Sequence, residues 1–201
     1  RSLQSFDVGQ FAFASTSLVY GAAEPGRPQA EDGPLDPKWA YPKSKAEAER
    51  SVRRLRGAIP AVILRIAAVY DEEGHSPPLA NHLQRIAERW ITGRVFPGDI
   101  THGQSYVHRA DLVDALERVV DRRAQLPPEL VLNLSAETVG YDAVQRELGL
   151  LLHGRDWGAA PIPKAVARAG AWFLNAMPGG EPFIQPWMID LADEHVELDS
   201  T

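Results

Sequence analysis

Ser15-Thr16-Ser17-Leu18-Val19-Tyr20-Gly21, then a loop rich in Pro, Gly and acids, then Tyr41-Pro42-Lys43-Ser44-Lys45: the reading of this stretch decides the fold. Just before it, Gln10 to Ala14 is a short, mostly apolar run between Gly9 and the Ser/Thr cluster. Such a run reads as a buried parallel strand, so the hydroxyls sit at a strand end. Tyr20-Gly21 closes the turn. Ala22 to Lys38 repeats Pro and Gly with Glu24, Glu31 and Asp32, and reads as a surface loop that shapes access to nearby chemistry. Tyr41 to Leu55 is rich in Ala, Glu, Lys and Arg and reads as a helix, with Pro42 in its first turn, where a missing N–H costs nothing. Ala61 to Ala67 is a second short apolar run carrying Val and Ile, a second buried strand. Strand, helix and strand at this spacing make a βαβ unit and hence a parallel sheet.

Four residues span about one helical turn, so Tyr41 and Lys45 project from one face while Lys43 points elsewhere. A cation beside a phenol favours the phenolate. A hydroxyl such as Thr16 or Ser17 can hold a substrate oxygen against that phenol. The set suits moving a proton on or off an alcohol while a cofactor takes the hydride. The competing reading is structural: a half-buried Tyr at a helix start, a solvated Lys, and hydroxyls that satisfy backbone groups at a strand end.

Further along, Glu72 to Pro78 is a turn-rich break and Leu79 to Ile91 reads as a helix. Thr92 to Gln104 reads as loop with short strands. Asp111 is expected to cap the amphipathic helix Leu112 to Arg122, and Leu130 to Leu134 is a third strand. Beyond Ser135 the pattern turns helical: Asp142 to Leu152, Lys164 to Ala176 and Trp187 to Ala192, separated by the clusters Pro161 to Pro163 and Pro178 to Pro182.

The 201 residues, 44% apolar and 24% charged, suffice for one good core or for a domain plus a smaller one. The net charge of −6 and the lack of a basic run argue against nucleic acid as a partner. Arg50, Arg53, Arg54 and Arg56 are spaced like a solvated helix face. There is no cysteine, so neither disulfides nor thiolate chemistry. The six histidines form no His-x-x-x-His pair, and no metal is expected. Ala165 to Met177 is the longest apolar stretch. It contains Arg168 and falls short of the ~20 residues a membrane span needs, so no membrane partner is expected. The expected compartment is the cytoplasm.

Four segments in order resemble the NAD-dependent epimerase/dehydratase family, the extended short-chain dehydrogenases. Phe11 to Gly21 resembles the strand and turn that carry the family's catalytic hydroxyl. Tyr41-x-x-x-Lys45 matches its catalytic Tyr and Lys. Ile63-Leu64-Arg65-Ile66-Ala67-Ala68-Val69-Tyr70 resembles the next strand and turn, and Ser105 to Ala115 a later segment leading into a helix. The resemblance implies an α/β fold: the C-terminal part of a Rossmann-like parallel sheet with flanking helices over 1–135, with a substrate-region insertion at about 71–108. A small, mostly helical substrate domain would follow over 136–201.

It also implies roles. Thr16, Tyr41 and Lys45 would be catalytic, Lys45 holding the ribose of NAD or NADP as well. Ser15, Ile66, Ala67, Ala68 and Val69 would lie along the nicotinamide. Ser17, Arg94, Gln104, His108 and Arg109 would face the substrate, a sugar nucleotide or a small carbonyl compound, Arg suiting a diphosphate through its planar fork. Arg65 reads instead as a structural partner for local carboxylates or carbonyls. The family's 4,6-dehydratases carry Asp-Glu after the catalytic Thr; here Ser17 and Leu18 stand there, which disfavours dehydration and leaves epimerisation or carbonyl reduction. A non-catalytic cofactor-binding regulator of the same fold is the alternative. The family's Gly-x-x-Gly-x-x-Gly phosphate turn is absent. The chain is therefore expected to be an internal piece of a longer enzyme, a homodimer when whole, and not to bind a dinucleotide alone.

Overall fold

The computed structural model describes residues 2–175, 186–192 and 194–200. In chain order the elements are β1 (Phe11–Thr16), α1 (Ala40–Leu55), β2 (Ala61–Ile66), β3 (Ala68–Tyr70), α2 (Pro77–Ala87), β4 (Val95–Pro97) and β5 (Gly103–His108). There follow α3 (Arg109–Asp121), β6 (Glu129–Leu134), β7 (Glu137–Gly140), α4 (Tyr141–His153), β8 (Ala160–Ile162), α5 (Lys164–Asn175) and α6 (Pro186–Leu191). β1 with β2, β2 with β6, β3 with β5 and β4 with β8 pair in parallel, with flanking helices, the α/β architecture expected. The cluster Pro178 to Pro182 lies outside the described residues.

Two compact units form. The first holds Arg1–Tyr70, Ser105–Thr138 and Val196–Thr201. Its main sheet has the order β1-β2-β6, all parallel. β2 is central, and Ala61 to Arg65 are all buried, which is why its sequence is a continuous apolar run rather than an alternation. Val62 and Leu64 pack with Val119 and Leu116 of α3 on one face. On the other face the register aligns Ser15, Arg65 and Asn133 in one row across the three strands, beneath α1. A second cluster joins Val19, Tyr20, Ala46, Ala67, Val107 and Leu198. The helix over Arg109–Asp121 starts earlier than expected: its cap is His108, whose ring Nδ1 accepts the Ala110 N–H at 3.3 Å. Asp111 is not the cap. It lies in the first turn, where its charge favours the helix N-terminus.

The second unit holds Asp71–Gln104 and Val139–His195. β4 pairs with β8 in parallel, and α4 ends on Gly154, whose φ of 65° is the left-handed conformation a C-terminal glycine supplies. At Gly149 a side chain would stand 2.5 Å from the Trp157 Cβ, so only glycine lets α4 meet the segment after it. Gln145 donates to the carbonyls of Gly93 and Trp157, and Trp157 Nε1 donates to Gly93 at 3.2 Å.

His82, on α2, is held uncharged: burial first, then the charge of Arg85, push its pKa from 6.5 to about 4. The unfolded chain takes up this proton near pH 6.5 and the folded one does not. Stability from this group is therefore complete above pH 6.5 and falls as pH drops toward 4, by about 2–3 kcal/mol. Urea unfolding followed by tryptophan fluorescence should show that loss, and His82→Gln should flatten it; an unchanged pH slope in the variant would refute the assignment.

Candidate active site

β1 ends at Thr16, and its hydroxyl oxygen accepts the Leu18 N–H at 3.3 Å. That bond caps a single 3-10 turn, Ser17–Val19, and leaves the Thr16 proton without an acceptor among the described residues. Ser17 is buried in the same turn. Tyr41 and Lys45 lie one turn apart on α1, with the Lys45 Nζ 5.9 Å from the centre of the Tyr41 ring. Lys45 also reaches back to β1: its ammonium donates to the Ala14 carbonyl at 2.8 Å and lies 5.3 Å from the centre of the Phe13 ring. One of its three donors is thereby engaged. Tyr41 is 52% exposed, and its hydroxyl has no partner among the described residues.

Below these two residues the α1 face continues to Glu49, four residues on again. Glu49 is fully buried. Arg65 from β2 grips it with two bonds, Nε to Oε1 at 3.2 Å and a terminal nitrogen to Oε2 at 2.8 Å. Ser15 from β1 donates to the same carboxylate at 2.5 Å. The other Arg65 nitrogen donates to the Tyr20 hydroxyl at 2.6 Å and to the Glu31 carbonyl at 2.8 Å. Tyr20 in turn donates to Asn133 Oδ1 at 2.8 Å, and the Asn133 amide donates to the Gln29 and Asp199 carbonyls. Burial works against the Arg65 charge, but its bonds to Glu49 and Tyr20 outweigh that and hold its pKa above the ordinary value. Burial pushes the Tyr20 phenol up, with Arg65 pulling the other way.

Arg65 is thus the structural partner the sequence suggested. Glu49 and Asn133 were not foreseen. The available signals were the four-residue spacing that continues from Tyr41 through Lys45 to Glu49, and Arg65 as the one charge in an apolar strand.

Of the other expected residues, Ile66 stands beside Thr16 in the sheet register. Ala67 is buried, and its N–H donates to Leu134; Ala68 and Val69 belong to β3, paired with β5. Ile66 packs on both clusters of the first unit. His108 caps α3 with its ring 5.2 Å from that of Tyr70, and Arg109 beside it is exposed. In the second unit, the Arg94 guanidinium lies 3.5 Å from the Trp157 ring centre and donates to Gly158 at 3.4 Å. Gln104 is half-buried on β5. Asp71, Glu73 and His75 bring ligand-type atoms together. The Asp71 carboxylate, however, accepts the N–H groups of Glu73 and His75 and meets the His75 ring at 2.7 Å, an arrangement that staples the turn.

The profile of the family described as "NAD dependent epimerase/dehydratase family" matches residues 1–135. The chain belongs to this family. No curated protein sequence matches. Among solved structures it resembles UDP-glucuronic acid 4-epimerase from Bacillus cereus, in complex with a fluorinated UDP-sugar and NAD, at 19% identity and a TM-score of 0.68, over 81% of this chain and 51% of that one. It resembles dTDP-glucose 4,6-dehydratase from Bacillus anthracis, in complex with NAD, at 16% identity and a TM-score of 0.65, over 95% and 53%. It resembles UDP-glucose 4-epimerase from Thermotoga maritima, with UDP-glucose, at 20% identity and a TM-score of 0.65, over 99% and 57%. At these identities the likeness is one of fold, and the chain spans about half the length of each. The Rossmann-like architecture expected from the epimerase/dehydratase segments is thereby established. Among the described residues no helix is long and apolar enough to cross a membrane.

Proposed function

We propose that this chain carries the catalytic residues of an NAD(P)-dependent epimerase or reductase acting on a sugar nucleotide or a related hydroxyl or carbonyl compound. The observation that carries the reading is the set of uncommitted polar groups on α1 and at the end of β1. Tyr41 has an unpartnered phenol, Lys45 two spare donors, and Thr16 a spare proton. Thr16 is buried, and buried polar groups are normally paired, so its spare proton is available to a ligand, while Tyr41 and Lys45 offer their groups at the surface beside it. Family membership supports the enzyme class, and the NAD-bound relatives favour NAD over NADP.

In this reading Tyr41 takes the proton from a substrate hydroxyl, or returns it to a ketone, at the reacting oxygen. Thr16 donates a hydrogen bond to that oxygen and holds it in line with the phenol. The bond from Lys45 to Ala14 fixes the ammonium, and its two remaining donors would hold the ribose hydroxyls. Ile66, Ala67, Ala68 and Val69 would follow the nicotinamide with their backbone. Ser15 contributes position rather than a hydroxyl, because its Oγ is bonded to Glu49. The nicotinamide, when bound, supplies the hydride acceptor and donor. The residues present fit its ribose end; the sequence holds no glycine turn to assign to its pyrophosphate. Ser17, Gln104, His108, Arg109 and Arg94 remain the candidates for substrate contact. Ser17 and Leu18 after Thr16 supply no acid and base for loss of water, so retention of the substrate's oxygens is expected.

The test uses the full-length protein with UDP-glucose and with UDP-glucuronic acid. Proton NMR should show the 4-epimer or a reduced product, with transient reduction of NAD seen by absorbance. A 4-keto-6-deoxy product would overturn the choice of epimerisation or reduction over dehydration, and no turnover of any nucleotide sugar or carbonyl compound would overturn the enzyme reading.

A further inference from the structure

Within the second unit, Arg85 of α2 borders an apolar cavity of about 250 Å³, lined also by Thr92, Phe96, Ile162, Val166 and Ile189. Among the described residues, the Arg85 Nε and the Thr92 hydroxyl are buried without a hydrogen-bond partner. Among the described residues the one hydrogen-bond contact of the guanidinium is a long one, 3.5 Å to His82 Nδ1, and no carboxylate pairs with it. Buried guanidinium groups are ordinarily paired, because an isolated charge away from water is strongly destabilising. Arg65 of β2, which is fully buried, has a carboxylate, a phenol and a carbonyl around it, whereas Arg85 is half-buried and has none of these among the described residues. Burial alone acts on Arg85 and pushes its pKa below the ordinary value.

We propose that this cavity binds a small amphipathic carboxylate, its apolar body against Phe96, Ile162, Val166 and Ile189 and its carboxylate on Arg85, with Thr92 as a second polar contact. The count of charges sets the class. Arg85 offers one positive charge, and His82 beside it stays neutral at pH 7, since its pKa is about 4. A monoanion is matched by that; a phosphate monoester would bring a second negative charge with nothing to meet it. A neutral apolar molecule would fill the walls and leave the guanidinium unpaired. The planar fork of Arg accepts a carboxylate through two parallel bonds. The volume lies just below the ~300–1,000 Å³ of pockets for drug-sized ligands, so the body is a short acyl chain or a single ring. The site stands on the second unit alone and does not depend on the catalytic reading of Tyr41 and Lys45.

Isothermal titration of the full-length protein with octanoate, 1-octanol and uridine monophosphate tests this. Octanoate should bind saturably and at least tenfold more tightly than 1-octanol. Arg85→Met should lose at least tenfold in octanoate affinity while its 1-octanol affinity is unchanged. Arg85→Lys, which keeps the charge and loses the fork, should fall between, and Thr92→Val should weaken octanoate several-fold; these two carry the test if Arg85→Met does not fold. Equal affinity for octanoate and 1-octanol, or octanoate binding that survives Arg85→Met and Thr92→Val, would overturn the proposal. So would Arg85-dependent binding of uridine monophosphate that displaces octanoate, because the cavity would then serve a nucleotide.

Discussion

Tyr41→Phe in the full-length protein is expected to lower kcat by about 10² to 10⁴, or more if no other group moves the proton. A thousandfold loss corresponds to about 4 kcal/mol of lost transition-state stabilisation. The change deletes one oxygen, and that oxygen has no partner among the described residues. Nothing in the packing depends on it, so melting temperature and affinity for NAD should be nearly unchanged. This pairing makes the experiment informative: a fold that needed the hydroxyl would lose stability, whereas a proton carrier would lose rate alone. Wild-type turnover in the Phe variant would show that another residue carries the proton, and would remove Tyr41 from the mechanism. The same logic separates Lys45→Met, which should weaken NAD binding through the lost ribose contacts.

Arg65→Met should cost about 3–5 kcal/mol of stability, a large share of what a domain of this size has. Glu49 is fully buried, and its carboxylate would keep only the Ser15 hydroxyl. The loss reflects an uncompensated charge more than the worth of the pair. The double variant Arg65→Met with Glu49→Leu should therefore recover part of it, which a double-mutant cycle in urea would measure. Equal losses for the single and double variants would mean that the pair acts only by packing. Because the pair anchors α1 two turns below Tyr41, the double variant is also expected to lose activity beyond its loss of stability, through a helix free to rotate against β1.

The central strand β2 was legible because it is buried on both faces; β1, expected to be buried too, exposes Ala12 and Ala14 on one face. Ala61 to Arg65 reads as one apolar run, and the structure buries every residue of it. The Tyr41 and Lys45 pair was legible because helical spacing is a local property: four residues make one turn whatever the helix packs against. Pro42 in the first turn could be read in the same way. The cap of α3 could not. Asp111 has the better intrinsic propensity, but the chain turns helical at Arg109, and the residue standing before it is His108. Short strands such as β7 and β8 were also hidden, since four and three residues carry too little pattern to count.

By itself the sequence determined the βαβ order, the common face of Tyr41 and Lys45, and the hydroxyl at the end of β1. Each follows from spacing along the chain. Only the tertiary structure decided that Glu49 is a buried anchor while Glu47, two residues earlier, pairs with Arg50 on the surface. It alone aligned Ser15, Arg65 and Asn133 across three strands, and it alone assembled one unit from 71–104 and 139–195. It also set Arg85, with no carboxylate partner among the described residues, beside an apolar cavity. The reason is physical. Periodicity states which way a side chain points, but whether a charge there is solvated, paired or stranded depends on partners from distant parts of the chain, and strand register and helix packing choose those partners.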